Sequence, residues 1–170
     1  MTLILFSHTY FENSKINKAL LEEASKLENL EISNLNLLYK DYKIDIQKEQ
    51  EKLEKADKII VQFPMFWYST PSIFKEWQDA VLTPLYVEKS KIIADKKLGF
   101  IISAGGSRED FLEYESKEFS AIDRILFPLV ISFESLSVKI CKSLAFYNAS
   151  SSKFDLQTCK KQYLDYIKEF

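Results

Sequence analysis

Glycine is nearly absent from this sequence, with three in 170 residues. Glycine is the residue that lets a backbone bend freely or approach a neighbour closely, so the adjacent pair Gly105-Gly106 needs a reason. Cysteine is equally sparse. Cys141 and Cys159 make neither a disulfide framework nor a metal cluster, and they read as two reduced thiols. No block of Lys or Arg occurs, and the formal net charge is −2, which leaves no electrostatic footprint for nucleic acid. Long apolar runs are also missing. The opening run Leu3-Ile4-Leu5-Phe6 has no basic stretch ahead of it and is too short for a signal-peptide core or a membrane span. There is no Walker pattern and no glycine-rich dinucleotide fingerprint. These absences together predict a soluble cytoplasmic protein.

What the chain does have is aromatic side chains: thirteen Phe, nine Tyr and two Trp. They are spread along the sequence, so most belong to a core. The length suits one domain over residues 1–170. Short apolar runs alternate with helical patterns. Strands are expected at residues 2–7, 30–37, 58–63, 97–103 and 138–147. Helices are expected at 14–27, capped by Ser14, and at 46–56, capped by Asp45. A third should follow Thr70-Pro71, read as a cap with proline in the first turn, and end before Pro84. Residues 117–136 read as helix interrupted at Pro128, and 154–170 as a closing helix. This rhythm predicts an α/β fold: a five-stranded parallel sheet, order 2-1-3-4-5, with helices on both faces.

In such sheets a ligand sits beyond the carboxyl ends of the strands. Three loops there are unusual. The first runs from His8 to Ser14. A helix N-terminus with a serine cap offers N–H groups to a phosphate, though serine in that place is also simply a cap. The second, Pro64-Met65-Phe66-Trp67-Tyr68-Ser69-Thr70-Pro71, sets four large apolar side chains in a loop. They suit a flat ring system with a polar edge, and equally a buried corner or a dimer contact. The third, Ser103-Ala104-Gly105-Gly106, lets backbone approach a ligand, or is a plain turn.

The stretch from Ala56 to Pro71, continued by Lys75-Glu76-Trp77-Gln78-Asp79, resembles the signature of the NAD(P)H:quinone oxidoreductase family, which has a flavodoxin-like fold. The upstream Leu38-Tyr39-Lys40-Asp41-Tyr42-Lys43-Ile44-Asp45 and Glu49-Gln50 resemble one bacterial branch. It holds modulator-of-drug-activity reductases and ancillary proteins of glutathione-gated potassium efflux systems. The resemblance implies that His8, Ser14, Ile16 and Asn17 hold the flavin phosphate and ribityl chain. It places Pro64, Met65, Phe66, Trp67 and Tyr68 around the isoalloxazine, Ser103, Ala104, Gly105 and Gly106 at its far edge, and Phe111 nearby. The cofactor implied is FMN, with FAD as the alternative, and NADPH or NADH is the electron donor.

Three departures from the family stand out. Thr9 replaces a proline, Ser103-Ala104 replaces a Thr-Thr pair, and Pro84-Leu85-Tyr86-Val87-Glu88-Lys89 replaces a glycine-containing stretch that shapes the substrate pocket. The resemblance implies two-step, ping-pong hydride transfer to a quinone-like acceptor. Tyr68, Tyr86 and His8 are the candidate acid or base side chains, with His8 assigned rather to the phosphate. It also implies a homodimer. The alternative is a flavin-binding ancillary subunit, peripheral at the inner face of a membrane beside a potassium efflux transporter.

Overall fold

The computed structural model describes residues 1–170. Its strands are β1 (Thr2–Phe6), β2 (Leu30–Asn34), β3 (Lys58–Pro64), β4 (Lys97–Ser103), β5 (Lys139–Ile140) and β6 (Leu144–Phe146). Its helices are α1 (Lys15–Ala24), α2 (Leu35–Leu38), α3 (Ile46–Lys55), α4 (Ser72–Val87), α5 (Ala121–Glu134) and α6 (Leu156–Glu169). All pairings are parallel and the sheet order is β2-β1-β3-β4-β5, with β6 also on β4. This is the order expected from the sequence.

Strand periodicity sorts the core into two faces. Along β1, Leu3 and Leu5 face α3, α4 and α5, in a cluster with Ile59, Val61, Leu98 and Phe100. Ile4 and Phe6 face the other way, toward α1 and α6, with Ile60, Ile101 and Tyr163. Both faces are covered, so the strands read as continuous apolar runs and not as alternating ones. Burying each such side chain contributes roughly 1.5–3 kcal/mol. Gly99 in β4 has a packing reason: a Cβ there would collide with the Tyr166 hydroxyl and the Phe170 ring.

Several boundaries differ from the sequence expectation, each for a local reason. The second strand stops at Asn34, whose side chain accepts the Leu37 N–H and turns the chain into α2. Helix α4 does not end before Pro84; it runs to Val87 with Pro84 inside. The buried Leu82 and Leu85 flank the proline and anchor that turn in the core. The residue preceding α4 as its cap is Pro71 rather than Thr70. Helix α5 starts at Ala121, where Ser120 and Asp123 form a reciprocal capping box, and it passes Pro128 unbroken. The fifth strand is two pieces. Leu98 pairs with Ile140 and Ile101 with Leu144, so four steps on one side face three on the other. That is a one-residue bulge.

Candidate active site

Strands β1, β3 and β4 are parallel neighbours, so their carboxyl ends deliver three loops to one edge of the sheet. After β1, Ser7 donates its N–H to the Gln62 carbonyl at 3.1 Å. His8 follows, with its ring largely buried. Its N–H donates to Asn36 Oδ1 at 2.7 Å, and its Nδ1 accepts the Tyr10 N–H at 3.1 Å. Burial lowers the His8 pKa below its ordinary value, against a smaller opposing contribution from its own backbone. A short 3-10 turn, Phe11–Asn13, leads to Ser14, which caps α1 by accepting the Asn17 N–H at 3.2 Å. The first turn of α1 leaves N–H groups pointing out of the helix.

After β3 the backbone makes a tight turn. Phe66 and Ser69 exchange N–H···O=C bonds at 3.0 and 2.9 Å, and the two residues between them have positive φ, 50° at Trp67 and 58° at Tyr68. Such a turn normally uses Asn and Gly; two aromatic residues there are strained. Trp67 is 94% exposed and Tyr68 52%. The N–H groups of Trp67, Tyr68, Gly105 and Gly106 donate to nothing in the protein, and neither does that of Thr9. The aromatic side chains form walls. Phe66 lies edge-on to His8 and to Tyr10, both at 6.0 Å. Tyr68 meets Phe111 at 6.1 Å and Tyr114 at 5.7 Å, and Phe111 meets Tyr147 at 5.5 Å.

The residues singled out in the sequence divide into two layers. Ser14, Pro64, Met65, Phe66, Trp67, Tyr68 and Gly106 are half-buried or exposed around the cleft, Gly105 is exposed, and His8 sits at its base. Ile16, Asn17, Ser103, Ala104 and Phe111 are buried beneath. Asn17 is occupied internally: its Nδ2 donates to Ser103 Oγ at 3.1 Å and its Oδ1 accepts from Gln62 at 3.2 Å. Gln62 in turn accepts the Tyr163 hydroxyl at 2.8 Å. This buried chain ties α1, β3, β4 and α6 together under the cleft, so the side chains of Asn17 and Ser103 are committed to the fold beneath the ligand site. Tyr86 stands apart, on the last turn of α4. It lines a groove of about 680 Å³ between α4 and α5 that reaches the cleft only through Met65, Ser69 and Thr70. The free N–H donors, however, are in the three-loop cleft. Asn36, Tyr10, Tyr114 and Tyr147 are cleft-side residues that sequence reasoning missed. Two asparagines inside an expected strand, Asn34 and Asn36, were the available sign of a break there.

The donor set fits a ligand with an anion at one end and a flat ring with a polar edge at the other. The helix N-terminus, Ser14 and His8 serve the first part, and the Trp67-Tyr68 turn with the Gly105-Gly106 loop serves the second.

A protein family described as flavodoxin-like fold matches residues 1–168. The chain belongs to that family. It is 32% identical over 170 residues to general stress protein 14 of Bacillus subtilis, covering 98% of this chain and 97% of the relative. It is 42% identical over 113 residues to the glutathione-regulated potassium-efflux system ancillary protein KefF of Salmonella newport, a match over 65% of this chain and 64% of KefF. Among solved structures, a general stress protein 14 from Treponema denticola, crystallised with FMN, superposes with a TM-score of 0.88 at 22% identity, over 99% of this chain and 98% of that one.

Proposed function

We propose that this flavodoxin-like protein binds FMN in the three-loop cleft and acts as an NAD(P)H oxidoreductase on quinones or similar acceptors. The observation that carries the reading is the strained Trp67-Tyr68 turn. Two aromatic residues are held at positive φ with both N–H groups unspent, a few residues from apolar walls. Strain of this kind clusters at ligand-binding sites. A bound flavin supplies the two-electron chemistry between a nicotinamide donor and an acceptor.

The chain's own residues do the rest. The first turn of α1 and Ser14 hold the phosphate, with FMN favoured over FAD because no adenine-binding feature stands out. The unpartnered N–H groups of Trp67, Tyr68, Gly105 and Gly106 would hold the polar edge of the ring and stabilise negative charge on it. Tyr68, half-exposed on the turn, is placed to touch an acceptor. The Glu113 carboxylate, and then Tyr68, push the pKa of the neighbouring Tyr114 up to about 12. Tyr86 belongs to the same site only if the acceptor extends into the α4–α5 groove. The glycine-containing pocket wall of the quinone reductases is replaced here by the helical last turn of α4, which leaves that groove open. The apolar side chains exposed on α4 and α5, Tyr86, Val87, Phe127 and Ile131, favour a homodimer.

A second reading, compatible with the first, comes from the likeness to KefF: an ancillary role at a potassium efflux transporter, peripheral at the inner face of the membrane. No helix is long and apolar enough to cross a membrane. Co-purification with such a transporter supports this role; normal potassium efflux in a deletion strain opposes it. The main test is direct. The purified chain is expected to be yellow, to take up FMN, and to oxidise NADH or NADPH when a quinone is present. A colourless protein that rejects both FMN and FAD removes the proposal.

A further inference from the structure

His8 carries the only imidazole in the chain, and its two nitrogens are unequal. Nδ1 accepts the Tyr10 N–H at 3.1 Å. A nitrogen that accepts carries no proton, so the neutral ring keeps its proton on Nε2. Nε2 has no partner in the protein, and it is not among the enclosed unpaired atoms, which are Ser7 Oγ and Gln78 Oε1. The ring is therefore buried with one donor left open.

The group that holds this arrangement lies on another element. The His8 N–H donates to Oδ1 of Asn36 at 2.7 Å. Asn36 belongs to α2, four residues long, which is too short to persist alone. Both of its ends are pinned. At the front, Asn34 Oδ1 accepts the Leu37 N–H at 3.3 Å. At the back, the Tyr39 hydroxyl donates to Glu49 at 2.7 Å. Glu49 is fully buried, accepts the Trp77 indole N–H at 2.9 Å and pairs with Lys52. Lys52 also donates to Ser33, beside Asn34, at 2.8 Å. The acceptor for His8 is thus fastened through α2 to β2, α3 and α4.

We infer that Asn36 is a positioning residue: its bond to the His8 backbone locks the imidazole as the Nε2–H tautomer and so presents one N–H donor to the phosphate-bearing end of the cofactor. The destination of that donor rests on the flavin reading above; the lock itself does not. Ser7 is held by the Gln62 carbonyl, so without Asn36 the loop keeps its anchor at Ser7 but loses the one at His8 itself, and the Tyr10 N–H···Nδ1 bond loses its geometry.

A single histidine makes the test unambiguous. The full-length chain, labelled with nitrogen-15 histidine and free of flavin, is expected to give one neutral imidazole with the Nε2–H signature. Asn36→Ala is expected to give mixed tautomers and to weaken FMN binding on the order of tenfold. Asn36→Asp keeps an acceptor for the same N–H and is expected to keep the single tautomer, which decides the matter if the alanine variant fails to fold. An alanine variant with the wild-type imidazole spectrum overturns the inference, and so does an aspartate variant with mixed tautomers. A wild-type chain that refuses FMN overturns the cofactor reading and the donor's destination, while the spectra still decide the lock.

Discussion

Trp67 and Tyr68 are adjacent aromatic residues both held at positive φ. Side chains with a Cβ at positive φ cost of order 1 kcal/mol each, and the turn they form is the one that Asn-Gly makes without strain. Replacing them by Trp67→Asn with Tyr68→Gly should therefore stabilise the flavin-free protein by about 1–2 kcal/mol in urea unfolding. The same change removes two aromatic surfaces from the cleft and should weaken FMN binding. A double variant that binds FMN as tightly as the wild type would sink the assignment of this turn to the ring. The loop was visible in the sequence as four large apolar residues in a row. Its turn geometry was not, because that geometry is read from Asn and Gly and neither is there. The motif likewise marked Ile16, Asn17 and Ser103, but spacing does not tell a side chain that faces a ligand from one committed to the fold beneath it. That needed the Asn17–Gln62–Tyr163 hydrogen bonds, whose members lie far apart in the chain.

Helix α3 is highly charged yet carries the fully buried Glu49. Four donors converge on its carboxylate: Tyr39, Trp77, Lys52 and, at 3.5 Å, Ser33. Burial, with the neighbouring Glu49, pushes the Tyr39 hydroxyl pKa well up, so this phenol stays a donor. Removing the carboxylate strands a lysine in the core. Glu49→Ala should cost about 3–5 kcal/mol in denaturant unfolding, whereas replacing Glu49 and Lys52 together by leucine and methionine should cost far less. Equal losses in the two variants would mean that the ion pair does not govern the site. The sequence offered Glu49 only as part of a recognisable stretch, with no hint of its burial. Periodicity located the helices and strands well, since each presents an apolar stripe. It failed at Pro84 and at the β5–β6 bulge, where packing against Leu85 and pairing with β4 override local preference.

At the scale of the whole molecule, the sheet order was legible because alternating elements leave few topologies open. Assembly was not, because an exposed Phe127 and a buried Phe133 look alike in sequence. The exposed apolar side chains of α4 and α5 lead to an expected sedimentation mass of twice the chain at micromolar concentration. Phe127→Glu combined with Ile131→Glu should shift it to the single-chain mass. A wild-type chain that sediments as a monomer throughout removes the homodimer. The two tryptophans meanwhile occupy opposite worlds. Trp67 stands in water at the rim of the cleft, and Trp77 lies wholly enclosed, its indole N–H spent on Glu49. Iodide in solution can reach the first and not the second. The chain therefore carries two optical reporters, one quenched by whatever enters the cleft and one silent until the fold itself comes apart.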